Sequence, residues 1–359
     1  MKKFIFSFLF ISFIISCKKE AKTTLPAKET KQIPLSYASS FTIDSTDQAL
    51  VYTIMNNGVQ KKVSIDYNKL PFDNLVTTSA SATAYLDALG ETDHIKAAYD
   101  VNWIYNENLH NQIKNKQTQD LGNSNGMELE QLLQLNPDAI IVFSDPNKIQ
   151  LYNQLEESGI QVIYVDEYLE QTPLGKAEFL KFYGLLTGKY TQANELFNQI
   201  ERNYTDLKEK VHTVENKPTI LANVMRGDIW YLPGGKSFSA QFFADAGGNY
   251  LWKEDSTEGS INLDFEQVYD RAKDAEFWFN ASDYKTLSQL NDAHKNHSWF
   301  QAYKEGNVYS FAKRTNENGA NDFFETGTVR PDLVLKDLIS IMHPEVLPNH
   351  DLYFYQKLK

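Results

Sequence analysis

The chain has 359 residues, with 35 Lys and Arg against 47 Asp and Glu, a formal net charge of −12 and a single cysteine. A polypeptide this acidic, without a basic tract, is a poor binder of nucleic acid, where affinity comes largely from neutralised phosphates. One thiol leaves no intrachain disulfide and no cysteine-based zinc site.

The chain opens on MKKFIFSFLFISFIISC, where Lys2 and Lys3 precede an apolar run from Phe4 to Ile15. That run is too short to span a bilayer, and its basic front and small Ser16 read as a secretory signal. Ile14-Ile15-Ser16-Cys17 resembles a lipobox. Residues 1–17 are therefore read as a lipoprotein signal peptide ending at a lipidated Cys17, which would hold the protein to a membrane surface. Residues 18–34 are polar and aperiodic, a flexible tether. In 50-LVYTIMNNGVQKKVSI-65 two strand-like runs flank Asn57-Gly58, a strong hairpin signal, so 35–73 is expected to be an N-terminal hairpin extension.

The remaining length exceeds what one core usually takes, which predicts two domains. From Asn74 strands and helices alternate: NLVTTS, SATAYLDALG closed by Gly90, HIKAAY, ELEQLLQLNPD stopped by Pro137, DAIIVFS, IQLYNQLEESG and IQVIYVDE. This is the rhythm of a parallel sheet covered on both faces. It gives an α/β lobe over 74–168. A linking helical segment over 169–215 follows, in which Ala193, Leu196, Phe197, Ile200, Tyr204, Leu207 and Val211 keep one apolar face. Alternation restarts at 218-PTILANV-224 and ends with a helix before Pro344, a second α/β lobe over 216–359. The halves echo each other: Glu130-Gln131, Asp138-Ala139 and Phe143 recur as Glu266-Gln267, Asp274-Ala275 and Phe279. The expected fold is two doubly wound α/β lobes joined by a long linking helix.

The stretch 230-WYLPGGKSF-238 ends as a phosphate-binding loop does, but the glycine that pattern requires first is Trp230. Pro233-Gly234-Gly235 is read instead as a turn into a helix beginning near Lys236 and Ser237, whose N-terminus could receive an anionic group of a ligand.

Five stretches carry a family resemblance: 78-TSASATAYLDALGETDHIKAAY-99, 126-GMELEQLLQLNPDAIIV-142, 229-IWYLPGGKSFSAQFFADAGG-248, 265-FEQVYDRAKDAEFWFN-280 and 330-RPDLVLKDL-338. Together they resemble the helix-linked substrate-binding proteins of ABC importers that capture iron–siderophore complexes, haem and cobalamin. The hairpin with 33-IPLSYASSFTI-43 resembles an N-terminal extension of Bacteroidetes members. The resemblance implies one ligand bound between the lobes and delivered to an ABC permease, with no cofactor and a monomeric protein. It also implies that Glu130, in G-M-x-L-E, and Glu266, in F-E-Q-V, dock onto permease arginines. First-turn carboxylates also favour their own helices by about 0.3–1 kcal/mol, the plainer role for either one.

No nucleophile elbow, dinucleotide fingerprint or H-E-x-x-H motif is present, so no catalytic residue and no metal site is assigned. His294 and His297, the one close histidine pair, read as surface residues. Strand ends of an open α/β sheet face the ligand crevice. There lie Ser79 and Ser81, Trp103 and Tyr105, then Arg226, Trp230 and Tyr231, and Phe323, Phe324 and Arg330. Flat aromatics and arginines suit a planar or catecholate-like ligand with acidic groups. Core packing is the competing role for each aromatic. Ferric siderophore, haem and cobalamin all fit. A ligand-storing lipoprotein without a permease and a periplasmic α/β hydrolase stand as rivals.

Overall fold

The structure is a computed structural model in which residues 31–56 and 59–359 are described. The signal peptide, Cys17, most of the tether and the Asn57-Gly58 turn lie outside those residues.

Four antiparallel strands come first, paired in chain order: β1 (Lys31–Ile33), β2 (Phe41–Ser45), β3 (Ala49–Asn56) and β4 (Val59–Asp66). β3 and β4 form the expected hairpin, in register from Ala49↔Asp66 to Asn56↔Val59. Two further strands extend it, and β1 begins inside the segment expected to be a tether. The sequence FTIDS explains β2: its alternation buries Phe41 and Ile43 on one face.

The first lobe runs β5 (Leu75–Thr77), α1 (Ala80–Ala88), β6 (Ile95–Ala98), α2 (Glu107–Lys114), β7 (Gln119–Asp120), α3 (Leu129–Leu135), β8 (Ala139–Val142), α4 (Ile149–Glu157) and β9 (Gln161–Tyr164). Its sheet is parallel, in the order β7-β6-β5-β8-β9. β5 and β8 are buried throughout, as continuous apolar runs covered on both faces must be.

The link is two helices rather than one. α5 (Pro173–Leu186) and α6 (Tyr190–His212) fold back on each other through Thr187 and Gly188, whose φ of 73° favours glycine. α6 buries Ala193, Phe197, Ile200, Tyr204, Leu207 and Val211, the face its sequence prescribes. α5 is buried almost all round. It therefore lacks the one-sided periodicity by which a helix is recognised. Gly184 permits the close crossing, since a Cβ there would stand 2.5 Å from that of Ala193.

The second lobe runs β10 (Thr219–Ala222), β11 (Met225–Arg226), β12 (Ile229–Pro233), α7 (Phe238–Asp245), β13 (Asn249–Tyr250), β14 (Ser260–Leu263), α8 (Phe265–Ala272), β15 (Phe277–Phe279), α9 (Leu287–Ala293), α10 (Gln301–Lys304), β16 (Tyr309–Ser310), α11 (Thr326–Val329), α12 (Pro331–Met342) and β17 (Gln356–Lys357). β13-β10-β15 form a parallel sheet, continued by a parallel bridge from Trp278 to Val308. The order matches β6-β5-β8-β9 of the first lobe, strand for strand. The echoed Glu–Asp-Ala segments are α3–β8 in one lobe and α8–β15 in the other. An antiparallel ribbon, β11-β12-β14, is added at one side.

Buried carboxylates fasten the chain ends to this frame. Glu178 of α5 accepts the N–H groups of Ser36, Tyr37 and Ala38 at 2.8–2.9 Å and pairs with Lys181 at 2.7 Å. Glu170 accepts those of Ser39 and Ser40. Asp337 of α12 does the same for Tyr353, Phe354 and Tyr355 and for Nε2 of His350.

Candidate functional site

A cavity of about 550 Å3 opens at the strand ends of the second lobe. Asn223 follows β10 and Asn280 follows β15, both left-handed, with φ of 58° and 56°. Such turns end a strand abruptly and leave polar side chains at its mouth. Aromatic walls come from Tyr231 on β12, Phe238 at the start of α7, and Phe311, Phe323 and Phe324. Phe311 and Phe323 are stacked at 4.8 Å, and Phe324 stands edge-on to both. Arg226 is exposed on the rim. Among the described residues no carboxylate lies within ion-pair distance of it, in contrast to Arg314 and Arg330.

A second cavity of about 410 Å3 shares Asn223, Phe238 and Ser239 with the first and reaches Tyr168–Gln171 at the far side of the cleft. The two compartments make one trough, walled by the second lobe and by Tyr168–Gln171 at the start of the helical link.

The sequence-predicted residues divide sharply. Arg226, Tyr231, Phe323 and Phe324 come together in the first cavity. Trp230 does not join them: it is fully buried, packed tilted or edge-on against Trp278, His297 and Phe300, with its indole N–H given to the Ala222 carbonyl at 3.0 Å. Neighbours on a strand point to opposite faces, so Trp230 and Tyr231 cannot both face the cleft. Arg330 is also withdrawn, because Asp332 takes both its Nε and an Nη at 2.8 and 2.7 Å. The anion it requires lies two residues along its own chain.

Ser79 caps α1 by accepting the N–H of Ala82, and Ser81 bonds back to it at 3.3 Å. Trp103 is two-thirds exposed and lines neither cavity. Glu130 and Glu266 are exposed in the first turns of α3 and α8, away from the trough. His297 is buried rather than at the surface. Its Nδ1 faces the Leu290 carbonyl at 2.8 Å, and burial pushes its pKa down to about 4. Among the described residues no group of three or more His, Cys, Asp or Glu side chains is placed to hold a metal ion. Phe238, Asn223, Asn280 and Phe311 were not singled out in the sequence. The position directly after each apolar strand was the signal for both asparagines.

The glycines of 230-WYLPGGKSF-238 have a local cause. A Cβ on Gly234 or Gly235 would stand 2.2–2.3 Å from the carbonyls of Thr257 or Asp255. The N–H groups of Gly234 and Lys236 go to the carbonyls of Gly259 and Thr257 at 2.7 and 3.0 Å. A phosphate cradle needs those donors free. The loop instead packs against 255–259 and sets Ser237, Phe238 and Ser239 at the trough.

Tyr105 belongs to the seam between lobes. Glu325, just before α11, accepts the N–H groups of Tyr105 and of Asn106, the latter at 3.0 Å. Asn316 donates to the Ile104 carbonyl at 3.2 Å, and Arg314 covers the Tyr105 ring.

Residues 75–315 match the periplasmic binding protein family, and the chain belongs to it. An uncharacterized lipoprotein of Methanocaldococcus jannaschii is 24% identical over 300 residues, covering 80% of this chain and 69% of its own. The fold is that of an ABC-type Fe3+-hydroxamate transport system protein from Saccharomonospora viridis (TM-score 0.59, 17% identity, 81% of this chain and 98% of that one). It is likewise that of a triscatecholate siderophore binding protein from Bacillus subtilis (TM-score 0.56, 17% identity, the same coverage) and of a periplasmic heme binding protein from Vibrio cholerae (TM-score 0.56, 16% identity, 73% and 99%). The family and these neighbours are solute-binding proteins.

The seam carries a pH dependence. Burial, aided by the negative Asp322 and Asp87, outweighs the two N–H donors and pushes the Glu325 pKa up to about 8. Unfolding or opening returns the carboxyl to its ordinary acidic range, so the closed form holds a proton that the open form loses. Its stabilisation is complete below the ordinary carboxyl range and falls as pH rises through about 8. Thermal stability should therefore fall as pH rises from the ordinary carboxyl range to about 8 and level off above it, on the order of 2–4 °C per kcal/mol lost. His297 stays neutral throughout that interval. Melting curves of Glu325→Gln should show a much smaller drop; an equal drop in variant and wild type would remove Glu325 as the cause.

Proposed function

We propose that this protein captures a ferric siderophore or a related acidic metal chelate in the inter-lobe trough and delivers it to an ABC permease. The observation that carries the reading is Arg226, an arginine without an ion-pair partner among the described residues, at the rim of an aromatic-walled cavity. A flat chelate with acidic groups would stack on Tyr231 and Phe324 and place its charge at Arg226. The names of the structural neighbours, which include hydroxamate, triscatecholate and heme binders, support the ligand class. Lobes over 74–168 and 216–359 would close on the ligand across the helical link.

Titration with ferric catecholates, ferric hydroxamates, haem and cobalamin separates the ligands. Arg226→Gln should weaken an anionic chelate roughly tenfold or more, as loss of a charge-assisted hydrogen bond does, and a neutral one little. Arg330→Gln should leave affinity unchanged. The reverse pattern would reject the assignment, and preferred binding of haem or cobalamin would replace the siderophore with that ligand.

Glu130 and Glu266 supply the docking contacts in this reading, one exposed carboxylate on the equivalent helix of each lobe. Replacing both by alanine should abolish cellular uptake while ligand affinity in vitro stays within about twofold, since neither lines the trough. Reversal to arginine should be worse than alanine. Normal uptake by the double variant would leave only the first-turn dipole role.

The protein works from a membrane surface, held by lipid on Cys17, a reading supported by the lipoprotein among its relatives. Cys17→Ser should move the protein from the membrane to the soluble fraction or block its processing. Unchanged fractionation would refute the anchor.

A further inference from the structure

Beside the trough, the N-terminal sheet closes another cavity, of about 540 Å3. Ile54 of β3 and Lys61 of β4 form one wall. The opposite walls are Ile149 and Tyr152 of α4, Tyr164 at the end of β9, and Tyr168. Tyr168 also borders the trough, so the two compartments share a rim. Ile149 and Tyr168 are each about half exposed, 54% and 50%, which leaves the cavity open to solutes.

Its chemistry is uneven in an informative way. The Lys61 ammonium lies 3.2 Å from the centre of the Tyr164 ring, half-buried. Among the described residues it has no carboxylate within ion-pair distance. Glu156 and Asp166 act on it only at longer range, and burial lowers its pKa. The Tyr164 hydroxyl is buried in the same wall without a hydrogen-bond partner among the described residues. A cation held partly out of water against an aromatic face, with its nearest carboxylates beyond ion-pair distance, is under-compensated, and an anion brought to it would gain more than at an exposed lysine. Everything else around the cavity is apolar or aromatic apart from the turn at Ser144 and Asp145, whose carboxylate accepts the Asn147 N–H at 2.9 Å and lies 4.0 Å from the Lys148 ammonium.

We propose that this cavity is a separate binding site for a small aromatic acid, its ring against Ile149, Tyr152 and Tyr168 and its carboxylate on Lys61. Ile54 and Lys61 lie outside residues 75–315, so the site depends on a wall that the family match does not contain. It does not rest on the chelate reading of the trough.

The probe is 2-naphthoate, with neutral 2-naphthamide as its control, titrated calorimetrically into the full chain. Saturable binding of naphthoate is expected, with naphthamide roughly tenfold weaker or worse. Lys61→Met should weaken naphthoate by a similar factor, and Lys61→Arg should restore most of it. Ile149→Trp, which fills the cavity from an exposed position, should block it without disturbing the core. Arg226→Gln should leave it unchanged, which keeps this test apart from that of the trough. No saturable binding by the wild type, equal binding by Lys61→Met, or a loss caused by Arg226→Gln instead would each overturn the proposal.

Discussion

The molecule is organised by a single helix that has no outside. α5 touches α1, α6, α7, α11 and α12. The N-terminal sheet covers what is left, with Phe41 on Phe179 and Tyr52 stacked on Phe182, both at 4.1 Å between ring centres. Each layer therefore hides its apolar face on the same fourteen-residue segment. That arrangement sets how far the lobes can move, since both are packed on one link. It also explains why the N-terminal sheet is part of the body: without it the Phe179 and Phe182 side of α5 would face water, an uncovered aromatic surface costly at about 25 cal/mol per Å2.

A helix buried on every side still carries polar groups, and their satisfaction ties the architecture together. Glu178 sits at zero exposure and would be strongly destabilising alone. It is stabilised by three backbone donors from residues 36–38 and by Lys181. The acidic excess of the composition is partly used in this way. Glu170, Asp337 and Glu325 likewise receive backbone N–H groups from segments far away in sequence, so carboxylates act as clamps on irregular chain that no sheet or helix would otherwise hold. Glu325 differs from the others in spanning the seam beside the trough, which couples a titratable group to the relation of the two lobes.

The trough follows from the repetition of the lobes. Both sheets place their first strand between the second and third, and the first cavity opens at the strand ends of the second. Asn223 and Asn280 mark those ends in the second lobe. The ribbon β11-β12-β14, an addition to one lobe only, brings Arg226 and Tyr231 to the rim. Asymmetry between otherwise similar halves thus gathers a cation and aromatic rings on one wall.

Much of this was written in the chain itself. Apolar runs of four to eight residues between helical stretches specify parallel strands, because only a strand covered on both faces can be apolar throughout. The face of α6, the β3–β4 hairpin and the Glu–Asp-Ala echo were legible for equally local reasons. The G-G-K-S loop could be rejected as a phosphate site from one wrong residue. What the sequence could not convey depended on partners distant in the chain. α5 lacks a periodic face because its surroundings bury every side. Trp230 and Tyr231 are equally plausible aromatics until a strand assigns them opposite faces. Arg330 looks like a free cation until the turn before α12 folds it onto Asp332. Local pattern determined the elements and their order; the surroundings of each side chain, decided only by tertiary packing, determined which charges and rings remained available to a ligand.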